Sequence, residues 1–114
     1  MNRWMPALLL AAGVGCAAPE VKHATPLGSK TAPVRCDMPL GEQRYLDRLH
    51  CADGSRPSYI RVGSFGPGPY GTILDGYEVT CGTATSLVFM DMYHAGYVET
   101  QAIPGFQIDA PISP

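Results

Sequence analysis

Apolar residues follow three different rhythms along this chain. From Trp4 to Gly15 they form a nearly unbroken run, from Ala17 to about Val34 they keep no period, and from Tyr45 onward they recur at regular spacings. The first regular stretch is helical. Leu46 and Leu49, with Tyr45 one turn before Leu49, make an apolar stripe, and Glu42, Arg44, Asp47 and Arg48 are expected to face solvent. Asp37 suits an N-cap, Pro39 a first turn, and Glu42 the positive end of the helix. Together they predict one short helix from about Leu40 to His50, broken by the turn residues of Cys51-Ala52-Asp53-Gly54-Ser55-Arg56-Pro57.

Beyond Pro57 the period falls to two. Tyr59 to Phe65 is strand-like, with Ile60 and Val62 on one face and Tyr59 and Arg61 on the other. Tyr77, Val79 and Cys81 alternate with Glu78 and Thr80, which aims Cys81 at the core. A turn at Gly82-Thr83-Ala84 leads into a third strand, Leu87 to Tyr93. Tyr97-Val98 is expected to pair briefly, and Gly105-Phe106-Gln107-Ile108 to add an edge strand before Pro111 and Pro114. The pattern predicts an α+β domain in which one short N-terminal helix packs on a small antiparallel sheet of three to four strands. Its organisation reads as a signal segment over 1–15, a flexible tether over 16–35, the domain over 36–110 and a tail over 111–114.

The positive start Met1-Asn2-Arg3, the apolar run and the small residues behind it form a secretory targeting pattern, too short to span a bilayer. At Gly13-Val14-Gly15-Cys16 the segment resembles a bacterial lipoprotein precursor, with Gly13 where such precursors usually carry Leu. The resemblance covers the first sixteen residues. It implies that Cys16 becomes the acylated (palmitate-bearing) first residue of a mature protein in the bacterial cell envelope, and Ala17 after it implies the outer membrane, facing the periplasm. Ordinary signal cleavage near Ala17, giving a periplasmic or secreted protein, is the alternative. The tether, with Pro19, Pro26, Pro33 and the lone charges Lys22, His23 and Lys30, lacks the composition to bury a core. As a flexible chain it would reach on the order of 25 Å.

Composition limits the partners. Formal net charge is −2, and Arg61 is the last Lys or Arg, leaving only the acids Asp75, Glu78, Asp91, Glu99 and Asp109 beyond it. A nucleic-acid partner is therefore excluded for want of a basic footprint. Gly66-Pro67-Gly68-Pro69-Tyr70-Gly71 spells a dinucleotide fingerprint, but its prolines remove N–H donors and no helix is expected after it. No metalloprotease, nucleophile-elbow or Walker motif occurs, and no cofactor is implied. Asp91 and His94 are expected on opposite faces of a strand, which rules them out as an acid–base pair. Met90, Met92 and His94 share a face whose softness suits copper, so a soft-metal site there is one alternative function and a small secreted enzyme another. The favoured function is a non-catalytic binding module, joined to the membrane by a lipid anchor and contacting another envelope protein.

Distance limits rank the cysteine pairings. Cys36 and Cys51 lie at opposite ends of a helix about 16 Å long, and bridged cysteines need Cα atoms within about 7 Å. Cys51 with Cys81 is preferred, Cys36 with Cys81 competes, and in the preferred pairing Cys36 is left free or bridges two molecules.

Overall fold

The computed structural model of the chain describes residues 25–112, so the apolar run, Cys16 and the first part of the expected tether lie outside the described residues. The described part is α+β. Its elements are β1 (Val34–Arg35), α1 (Met38–Asp47), β2 (Leu49–His50), β3 (Ser58–Pro67), β4 (Ile73–Cys81), β5 (Ala84–Asp91) and β6 (Gln107–Ile108). The main sheet has the order β1-β5-β4-β3, and β2 and β6 form a second, two-stranded sheet. All main-sheet pairings are antiparallel except β1 with β5, which sets Val34 beside Met90 in parallel register.

The β4–β5 hairpin follows from its turn. Cys81 pairs with Ala84, leaving the two-residue loop Gly82-Thr83, and Gly82 takes the positive φ of 59° that such turns demand. One sheet face carries Tyr77, Val79, Val88 and Met90. These pack with Tyr45 and Leu46 of α1, Val34, Leu49 and Ile103 to form the core. The helix is fastened to the 99–103 segment by polar contacts. Tyr45 donates to Gln101 O (2.9 Å) and accepts from the Ile103 amide (3.1 Å), while Arg48 donates to Glu99 O (3.0 Å).

Four expectations change here. The helix runs Met38–Asp47, three residues short of His50, because Leu49–His50 leaves it to pair with Gln107–Ile108. Met38 opens it in a left-handed conformation, φ 63°. Glu42 and Arg48, expected in solvent, are buried at 1% and 9% exposure. The third strand ends at Asp91, and Tyr97-Val98 forms no strand.

Packing also begins before Cys36. Gly28 O accepts from the Phe89 amide (2.8 Å), Val34 is fully buried, and Lys30 lies over the Phe65 and Phe89 rings at 5.7 and 5.4 Å. The end of the expected tether is therefore part of the domain, its few apolar residues sufficing once the sheet edge supplies hydrogen bonds.

On the opposite sheet face Phe65 stacks edge-on against Phe89, centroids 5.2 Å apart, over Gly76. A Cβ at Gly76 would sit 2.8 Å from Phe65 Cδ1, so glycine is required by the close approach. Gly76→Ala is expected to push the half-exposed Phe65 ring off its stack and cost about 1 kcal/mol, read as a lower urea midpoint. An unchanged midpoint would show that the ring contributes nothing.

Candidate functional site

Cys51 and Cys81 form a disulfide with Cα atoms 5.9 Å apart, so the end of β2 is tied to the end of β4. Cys36 is unbridged and buried, and burial pushes its thiol pKa well up. A thiol in that state is a poor nucleophile and cannot reach another molecule, which removes the intermolecular pairing from consideration.

The metal-binding alternative meets a divided set of ligands. Met90 has no exposure and belongs to the core. Met92 lines a groove beside α1, and His94 packs edge-on against the Tyr70 ring at 4.8 Å. The alternation that would have aligned them stops with the strand at Asp91. No group of three or more His, Cys, Asp or Glu suited to a metal occurs among the described residues.

The end of that strand also brings Asp91 and His94 together. His94 Nε2 is 3.3 Å from Asp91 Oδ1, contrary to the expectation that they point apart. Asp91 is fully buried and accepts from the Thr72 hydroxyl and the Tyr93 amide (3.1 Å). Above it Arg35 lies over the Tyr97 and Tyr70 rings at 4.2 and 5.4 Å and donates to Tyr97 Oη. These bonds anchor the 67–72 loop to the strand end. Asp91→Ala, which strands the Thr72 and Tyr93 donors, is expected to cost about 2 kcal/mol and loosen that loop, seen as faster amide exchange at Thr72 and Tyr93. Protection equal to wild type would contradict this role.

A groove of about 390 Å³ opens between α1 and the β3–β4 pair. Pro39 and Met92 give it apolar walls, Tyr59 and Tyr77 aromatic ones, and Glu42, Asp75 and Arg61 its charge. The two tyrosine rings meet edge-on with centroids 6.1 Å apart. At the rim Arg61 Nη2 donates to Asp75 Oδ1 at 2.8 Å, which raises the guanidinium pKa further. Inside, Tyr77 donates to Glu42 Oε1 at 3.0 Å, and burial raises the Tyr77 phenol pKa. Glu42 Oε2 is buried with no hydrogen-bond partner.

Burial, followed by the neighbouring Asp75 carboxyl, pushes the Glu42 pKa up to about 8. Burial next to a second carboxyl thus favours the protonated form of Glu42. A buried carboxylic acid is a donor and an exchangeable proton.

No protein-family model, curated protein or solved structure matches this chain.

Proposed function

We propose that the protein is a lipid-anchored, non-catalytic interaction module of a bacterial envelope, whose edge strand β3 pairs with an extended segment of another envelope protein. The observation that carries this is the end of the main sheet. β3 is ten residues long and last in the strand order, and Ile60 and Val62 are 63% and 43% exposed on it. A strand placed so offers unpaired backbone groups to an incoming chain. Register shifts between Arg61 and Gly63 and between Ser64 and Pro67 restrict that pairing to the regular stretch from Ser58 to Arg61. On the exposed face Ile60, Glu78 and Leu87 stand in one cross-strand row, which gives alternate side chains of the partner a surface to read. The Cys51–Cys81 disulfide agrees with an oxidising compartment outside the cytoplasm. Cys16, resembling the acylated cysteine of lipoprotein precursors, would hold the domain at the outer membrane on its periplasmic side.

A photo-crosslinker placed at Ile60 in living cells tests the edge. The expected result is an adduct with one envelope protein, mapped to an extended segment and lost in Ile60→Lys, while a crosslinker at Gln43 on the helix gives none. Equal adducts from both positions, or persistence in Ile60→Lys, would remove β3 as the contact. The anchor is tested separately. Cys16→Ala is expected to release the protein from membranes or block its processing, and normal cleavage with retained membrane association would overturn it.

A further inference from the structure

A buried carboxyl oxygen without a partner, at the wall of an open groove, invites an occupant. We infer that the groove between α1 and the β3–β4 pair binds a primary ammonium group at the unpartnered Glu42 Oε2. This goes beyond the strand-pairing function and does not rest on it.

The charges close only with one positive unit at Glu42. With Arg61 paired to Asp75, an ionised Glu42 would be a buried and uncompensated anion, its Oε2 unpartnered. A proton supplies that unit, and so does a cation. The lining decides which cation. A hard divalent ion wants six or more oxygens, and no cluster of three acidic, His or Cys ligands exists among the described residues. A guanidinium is already in place on Asp75 in the form of Arg61. An ammonium is a compact charge with three donors. Glu42 Oε2, an Asp75 oxygen and the Tyr77 hydroxyl oxygen provide three acceptors. Its alkyl tail would then lie along Met92 and Pro39 with the Tyr59 and Tyr77 rings beside it.

The exchange balances. R–NH₃⁺ enters, the Glu42 proton leaves to solvent, and the net charge of the site is unchanged. Asp75 and Tyr77 face Glu42 from β4, Arg61 and Tyr59 stand on β3, and the Cys36 thiol lies ahead of the helix. Burial and the neighbouring Asp75 push the Glu42 pKa up to about 8. The side chain of Arg61 is half exposed and closes over Asp75, which is 8% exposed, so Arg61 must swing outward for the ligand to enter.

Titration of the full-length protein with n-butylamine and N-acetyl-lysine amide, followed by NMR and by heats in buffers of different ionisation enthalpy, tests the proposal. The expected result is saturable shifts at Tyr59, Tyr77 and Met92, release of about one proton per ligand between pH 6 and 7, and affinity rising about tenfold per pH unit up to about pH 8. Tighter binding of the lysine amide would assign the ammonium to a protein side chain, and tighter binding of butylamine to a free amine. Glu42→Gln, which keeps an acceptor for Tyr77, should weaken binding at least tenfold, and Asp75→Asn provides a second variant if the first fails to fold. Equal binding of tetramethylammonium, absence of proton release, or undiminished affinity in Glu42→Gln would each overturn the proposal.

Discussion

Raising the pH from about 5 to about 9 is expected to cost this domain on the order of 4 kcal/mol, most of it through Glu42. An unfolded Glu titrates near 4.5, whereas burial beside Asp75 pushes the folded value up to about 8. Between those two values the native state holds one more proton than the unfolded chain. Stability is therefore fully present below about 4.5, declines as the pH rises, and levels off once Glu42 has ionised in the folded protein as well. Each unit of pKa difference is about 1.4 kcal/mol, which sets the scale of the loss. Urea unfolding across the pH range measures it. Glu42→Gln should flatten the curve and be the more stable protein above about pH 8, because an amide can donate where the proton sat and carries no charge to bury. A wild-type curve that is flat from pH 5 to 9, or a Gln variant with the same slope, would show that the pair holds no extra proton.

The second large effect concerns the Cys51–Cys81 bridge. It closes a loop of 30 residues, for which chain-entropy arithmetic gives about 3.5 kcal/mol. In a domain this small that is a major part of the total stability. The Cys51→Ser/Cys81→Ser double variant should lower the urea midpoint accordingly, and a reducing agent should do the same to wild type while leaving the variant unaffected. Cys51 is buried and directly follows β2, which pairs with β6, so loss of the bridge should also expose the β2–β6 pair to faster amide exchange. A midpoint insensitive to reductant would mean that the unfolded chain gains little freedom from the break.

The sheet and the bridge were legible in the sequence because both rest on strong constraints. Alternation at Tyr77, Val79 and Cys81 names one strand whatever its neighbours do, and Cα distance limits alone disfavour Cys36 with Cys51. Glu42 was misplaced for a different reason. With Tyr45, Leu46 and Leu49 it completes the spacing i, i+3, i+4, i+7, so its position on the buried stripe was visible, and only its charge argued for solvent. What receives it in the core is the Tyr77 hydroxyl, from a residue 35 positions away. Asp91 and His94 illustrate the opposite limit. Their separation across two faces held only if the strand continued past Asp91, and the strand's end depends on Thr72, Arg35 and the 67–72 loop. The open edge at β3 is likewise a matter of strand order, which alternation does not encode. Nor did the sequence show that residues 27–35 close the other edge of the sheet, since two residues of β1 carry no period.

That short parallel strand has a consequence for how the chain comes to be folded. Val34 meets Met90, 56 positions further along the chain, and the core is completed by Ile103, with Phe106 and Ile108 packed against it. The first and last described pieces of the chain thus seal the same core, a topology of high contact order in which the rewarding contacts come late. A chain emerging N-terminus first from a narrow conduit has its helix and β3 early but cannot bury them against a finished sheet until residues past 103 have cleared. Were the chain threaded across a membrane, as the proposed envelope location requires, threading and folding would thereby be kept apart in time by the wiring of the fold.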